Sequence, residues 1–208
     1  RTTLLEPEAR GLVARYGVRL AHACVCPTVE DAKRASVHLG MPVVLKLIAA
    51  SVPHKTEHGA VRLGVLTLEE VERSFHELMG IARDARGVLV SPLLPKPVAE
   101  VLVGARRDPQ FGALITVGAG GTNVEQIPDV AIRLLPMTRA EARGALDDTV
   151  VGRMLAQPRG RTPANIDALI DVMLGLSDCV PANPEVAEIE LNPVFVDEHS
   201  AVAVDARG

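Results

Sequence analysis

The sequence predicts a mixed α+β chain with two subdomains. Three observations lead there. Amphipathic helical runs open with polar caps, several strands follow one another without a helix between them, and a three-proline segment divides the chain. Strand directly after strand means hairpins, not the alternating order of a doubly wound parallel sheet.

The first helix spans 6–16, where Leu5, Ala9, Leu12, Val13 and Tyr16 recur at helical spacing and Gly17 ends the run. Thr28 opens the second, with Asp31 in its first turn and Gly40 as its stop. "TLEE" at 67–70 is a capping box, and Val71, Phe75, Leu78 and Met79 form one stripe after it. "TRAE" at 138–141 is a second capping box. The last helix is expected at 161–174, with Thr162 as cap and Pro163 at its first position. Strands are expected at 43–48, 60–66, 87–92, 98–104, 112–117, 129–134, 186–196 and 201–205. "SPLLPKP" at 91–97 reads as a stiff extended hinge, because proline restricts its own φ and the residue before it. It sets a smaller subdomain, 22–91, against a larger one, 92–208 joined by the helix within 1–21.

Composition narrows the function. The chain has 208 residues, is 48% hydrophobic and 23% charged, and can build a core. Aromatics are only 2%, which removes base-stacking platforms for single-stranded nucleic acid. A net charge of −4 offers no basic field to DNA or an anionic membrane. No apolar run reaches the roughly 18 residues of a membrane span. No signal-peptide pattern opens the chain, and Arg1 stands where an initiator Met would, so a processed chain or an excised piece is expected. Cys24, Cys26 and Cys179 are too sparse for a disulfide framework and read as reduced, small buried thiols.

Lys46 sits among Val43, Val44, Leu45, Leu47 and Ile48, inside an apolar strand. A buried ammonium needs an anion or a route to water. It is either an edge-strand lysine reaching outward or a phosphate clamp. His54 and Lys55 in the next loop, with Gly59 to admit a close backbone, complete a basic element suited to a polyphosphate. "VGAGGTNVE" at 117–125 follows a strand but precedes no helix, so it is neither a P-loop nor a dinucleotide fingerprint. It is a tight turn or an anion-binding nest of amides. "RRDPQFG" at 106–112 is a turn, and Glu100 in "VAEVLVG" is an acid at a strand start.

The C-terminal segment "AEIELNPVFVDEHSAVAVDARG" reads as a hairpin about the turn 197–200. Symmetry about Glu198–His199 places Asn192 opposite Asp205, and such pairs hold their Cβ atoms about 4.5–5.5 Å apart. Period-2 alternation adds Glu188 and Glu190 to the face of Asn192. The patch is either a solvated face or a set of hard oxygen donors suited to Mg²⁺.

Together these segments resemble the ATP-grasp domain of the nucleoside-diphosphate-forming acyl-CoA synthetases, relatives of the succinyl-CoA synthetase β-subunit. "EPEARGLVARYGV" is similar to the family's opening helix, and "GMPVVLKL" with "HKTEHGAVRL" to its first phosphate-binding strand and loop. "EVLVGARRDPQFGALITVGAGGTNVE" is similar to its central block, and "EIELNPVFV" with "AVDARG" to its metal hairpin. The resemblance implies an ATP-grasp fold with the nucleotide between two α+β subdomains. It implies that Lys46 holds the α- and β-phosphates, with Gly59 in the phosphate loop. The strand and hinge at 88–94 would meet adenine, and Glu100 the ribose. Asn192 and Asp205, with Glu190 nearby, would carry Mg²⁺. His54 and Lys55 would lie at the terminal phosphate, with His54 as phosphoryl acceptor.

The implied reaction joins a carboxylic acid and CoA at the expense of ATP, giving acyl-CoA, ADP and phosphate. A phosphohistidine relay on a CoA-binding partner, in cis or in trans, completes it. The chain would then be one subunit of a cytoplasmic hetero-oligomer or a fragment of a multidomain ligase. The alternatives are a regulatory ATP-grasp-like domain of a bacterial protein acetyltransferase, without turnover, and an ATP-grasp ligase that activates a carboxylate directly. Two positions depart from the family pattern: Ala60 stands where a second glycine is expected, and Ser91–Pro92 lacks a long polar side chain at the hinge.

Overall fold

The computed structural model describes residues 4–52, 55–121, 129–156 and 163–208. These group into two units, one of Arg1–Pro7 with Ala21–Pro95 and one of Glu8–Leu20 with Lys96–Gly208.

The first unit is a four-stranded sheet in the order β1-β4-β2-β3, from β1 (Cys24–Cys26), β2 (Val43–Leu47), β3 (Val61–Val65) and β4 (Val88–Pro92). All its neighbouring strands are antiparallel. Helices α2 (Val29–Leu39) and α3 (Leu68–Met79) pack on each other and on this sheet. Thr28 caps α2 by accepting from the Asp31 amide, and Thr67 and Glu70 form the expected capping box of α3. Val71, Phe75 and Leu78 enter the core with Leu45, Leu47, Val88 and Val90. Strand β1 lies outside the strands expected from sequence; three residues are too few to show a period. Cys24 and Cys26 face the same way on it, Cys26 fully buried. Burial pushes the Cys26 thiol up to about 11, which keeps it protonated at neutral pH.

The second unit is a five-stranded antiparallel sheet in the order β7-β6-β5-β8-β9. Its strands are β5 (Ala99–Asp108), β6 (Gly112–Ala119), β7 (Val130–Leu134), β8 (Glu188–Val196) and β9 (Ala201–Ala203). Helices α4 (Arg139–Asp147), α5 (Val150–Ala156) and α6 (Ile166–Ala182) pack against it. The turn between β5 and β6 is built by Asp108, whose carboxylate accepts from the Gln110 and Phe111 amides at 2.8 and 3.0 Å. Thr138 and Glu141 form the expected capping box of α4.

Two helices correct the sequence reading. Helix α5 was not expected. Its first amides, on Val150 and Val151, are held by Asp129 at 2.7 and 2.9 Å, so its cap comes from 21 residues upstream. The last helix starts at Ile166 with Asn165 as cap and runs to Ala182. Pro163 precedes it, and Thr162 lies outside the described residues. Asn165 is fixed by the hairpin turn: its amide donates to the Asp197 carbonyl and its side chain to the His199 carbonyl. The opening helix, α1, spans Glu6–Ala14 and ends ahead of Gly17, which has φ 77°.

Candidate functional site

Within the first unit, β2 lies between β4 and β3, so Lys46 is on an interior strand, opposite Leu89 and Val61. The edge-strand reading therefore fails. Lys46 is 6% exposed, and its Nζ lies 3.0 Å from Oε1 of Glu6, the first residue of α1. Lys55, in the loop after β2, places its Nζ 3.1 Å from the other oxygen, Oε2. One buried carboxylate thus spans the buried ammonium of Lys46 and the partly buried one of Lys55. Sequence reasoning had no signal for Glu6, because its partners follow 40 and more residues later.

Gly59 closes this loop with φ 62°, open space where a Cβ would stand, and its amide donating to the Thr56 carbonyl. Ala60, the departure from the resemblance, is fully buried in the core, and its carbonyl accepts from the Leu47 amide. Its methyl therefore occupies core volume and does not stand in the loop's path to a ligand. His54 lies outside the described residues.

Within the second unit, Val101, Val103 and Ala105 of β5 are buried, while Glu100, Leu102 and Gly104 alternate to the other face. The neighbouring strand β8 does the same, burying Ile189 and Leu191 and turning Glu188, Glu190 and Asn192 outward. A bulge then intervenes. Val101 pairs with Val194 but Val103 with Leu191, so Asn192 and Pro193 together oppose Leu102. The bulge reverses the alternation, and Val194 and Val196 are buried after it. Simple period-2 reading of this strand holds only as far as Asn192.

The expected hairpin register is present. Val194 pairs with Ala203, Phe195 with Val202 and Val196 with Ala201, and further out Glu190 pairs with Arg207. Three residues separate the two bridged positions on each strand, 191–193 and 204–206. Asn192 and Asp205 are the middle ones, level with each other. Asp197 pins the turn by accepting from the His199 and Ser200 amides, each at 2.7 Å. These bonds hold its carboxyl below the usual range. Glu190 carries an ion pair to Arg207 at 3.2 Å, so that carboxylate already has a cation.

The glycine-rich stretch adds a contact that sequence reasoning left open. The Gly121 amide donates to Oδ1 of Asn192 at 2.9 Å, and the Gly120 amide to the Glu100 carbonyl at 2.9 Å. Gly121 has φ 75°, and a Cβ there would meet Oε2 of Glu100 at 1.9 Å. A Cβ on Gly120 would meet the Val101 backbone at 2.5 Å. The two glycines thus let the chain pass tightly by Glu100 on its way to Asn192. Residues 122–125 of this stretch lie outside the described residues.

The donor set suits Mg²⁺ bound with a nucleotide. Asn192 and Asp205 offer hard oxygens, and Mg²⁺ takes few protein ligands when phosphates and water complete its shell. Among the described residues, no cluster of three or more His, Cys, Asp or Glu could hold a metal by itself. Nor is any helix among them long and apolar enough to cross a membrane.

A family model described as an ATP-grasp domain matches residues 1–207. The chain is 37% identical to the β-subunit of ADP-forming acetate–CoA ligase I of Pyrococcus furiosus, across 98% of this chain and 90% of that subunit. It is 39% identical to ADP-forming acetate–CoA ligase II of Archaeoglobus fulgidus, across 98% of this chain but only 30% of that longer protein. The structure resembles that of acetyl-coenzyme A synthetase 1 of Ca. Korarchaeum cryptofilum, solved with coenzyme A and Ca-AMPCP. The TM-score is 0.92 and the identity 32%, covering 100% of this chain and 93% of that one. The same protein has also been solved with Mg-AMPPCP.

Proposed function

Because the chain belongs to the ATP-grasp family, we propose that it is the ATP-binding component of an ADP-forming acyl-CoA synthetase, working with a CoA-binding subunit or domain. The reaction is carboxylate, CoA and ATP to acyl-CoA, ADP and phosphate. The observation that carries this reading is the hairpin register that sets Asn192 level with Asp205, between the bridged pairs Val194–Ala203 and Glu190–Arg207.

Asn192 and Asp205 would hold Mg²⁺ through oxygen. Bound there, the ion would neutralise charge on the phosphates and orient them for transfer. Lys46 would hold the α- and β-phosphates, and Lys55 would lie at the terminal one. Glu6 would stay paired to both while they do so. Glu190 acts from the periphery, where its pairing with Arg207 limits its call on the metal. Gly59 would turn the phosphate loop, Glu100 would accept from ribose hydroxyls, and the 88–94 segment would meet adenine through its backbone. His54 would receive the phosphoryl group for relay to the partner. The relatives support both arrangements of that partner: a β-subunit in Pyrococcus furiosus, and a chain more than three times this length in Archaeoglobus fulgidus. The cytoplasm, which supplies ATP and CoA, is the compartment such an activity requires.

The test is reconstitution with the CoA-binding partner, followed by product analysis with acetate, CoA and Mg-ATP. ADP and phosphate should appear with acetyl-CoA, and only when acid, CoA and partner are all present. Release of AMP and pyrophosphate would refute the reading. His54→Asn should slow phosphoryl transfer far more than it weakens ATP binding.

A further inference from the structure

Glu6 is 5% exposed and lies on neither the metal ribbon nor the phosphate loop, yet its two oxygens each meet a lysine of the phosphate clamp. Two ammoniums held side by side and largely out of water repel, and each resists burial as a charge. A carboxylate between them offsets both effects and fixes where they stand.

We propose that Glu6 is a positioning residue that ties Lys46 and Lys55 into a single two-ammonium clamp for a nucleoside polyphosphate. This rests on the function proposed above. The competing role is purely structural: Glu6 would hold its own stretch of chain against β2 and have no bearing on phosphate.

The two roles separate in a mutant cycle on the full chain. Mg-ATP and adenosine affinities are measured for wild type, Glu6→Gln, the pair Lys46→Ala/Lys55→Ala, and the triple variant. Glu6→Gln should weaken Mg-ATP by about tenfold or more, the scale of one hydrogen bond to a charged group. Adenosine, which carries no phosphate, should keep its affinity within about twofold. In the Lys46→Ala/Lys55→Ala background the same change should cost little more, because Glu6 acts through residues already removed. If Glu6→Gln does not fold, Glu6→Asp supplies the same comparison; its shorter carboxylate cannot reach both ammoniums and should lose Mg-ATP selectively.

Equal losses for Mg-ATP and adenosine, or a full further loss in the triple variant, would overturn the proposal. So would unchanged Mg-ATP binding by Glu6→Gln in a chain that Lys46→Ala disables; that outcome leaves the proposed function standing. A wild-type chain with no affinity for Mg-ATP would remove both.

Discussion

Oδ1 of Asn192 accepts the Gly121 amide at 2.9 Å, and the Gly121 Cα lies too close to the Glu100 carboxylate to carry a side chain. One glycine therefore links the acid at the start of β5 to the amide at the β8 bulge. Gly121→Ala forces a Cβ into Glu100 and an unfavourable positive φ. It should destabilise the fold by about 1–3 kcal/mol, read by thermal or urea unfolding. It should also weaken Mg²⁺-dependent nucleotide binding by displacing Asn192. Adding Glu100→Ala should restore part of the stability, since the collision partner is then gone; no recovery would place the strain elsewhere.

Arg107 stitches the end of α6 to β5. Its guanidinium donates through Nη2 to the carbonyls of Val180, Pro181 and Asn183 at the helix end. Arg107→Ala should cost about 1–3 kcal/mol in urea unfolding, as for hydrogen bonds to a charged group. Arg107→Lys should recover only part of this, because an ammonium is more strongly hydrated than a guanidinium and gives up more on leaving water.

Asp129 caps α5 from outside the helix, so Asp129→Ala should remove the anchor of both first amides. The expected cost is about 0.5–2 kcal/mol, with loss of amide exchange protection confined first to 150–156. Asp129→Asn keeps one acceptor and should lie between.

Asp197 should make the hairpin pH-dependent. Its carboxyl is held below the usual aspartate range, first by the His199 amide and then by Ser200. A carboxylate with a depressed folded-state pKa adds stability above its unfolded pKa of about 3.9 and loses it as pH falls toward the folded value. The 197–200 turn should therefore loosen below about pH 4. Asp197→Asn should lack that acid step while matching wild type more closely at low pH. Amide exchange at His199 and Ser200 reads it directly.

Features whose causes are local were legible in the sequence. Thr67 with Glu70 and Thr138 with Glu141 cap their own helices three residues on, so the boxes alone locate α3 and α4. The Asn192–Asp205 relationship was legible because a short turn propagates its symmetry along both strands. What escaped depended on distant groups. The start of α5 is set by Asp129, and that of α6 by Asn165 tied to the 197–200 turn. The Thr-Pro signal at 162–163 matched a helix start in isolation and was overruled by that tertiary anchor. The β8 bulge has no period of its own, and Glu6 gives no hint of two lysines that come 40 and more residues later.

In the proposed site Lys46 supplies charge to the phosphates and Asp205 an oxygen ligand to the metal. Calorimetric titration of ATP into wild type, Lys46→Ala and Asp205→Ala, each with and without Mg²⁺, tests it most directly. Lys46→Ala should weaken ATP about tenfold or more in both conditions, and Asp205→Ala should bind ATP equally with and without the ion. ATP affinity and Mg²⁺ dependence unchanged in both variants would contradict both roles.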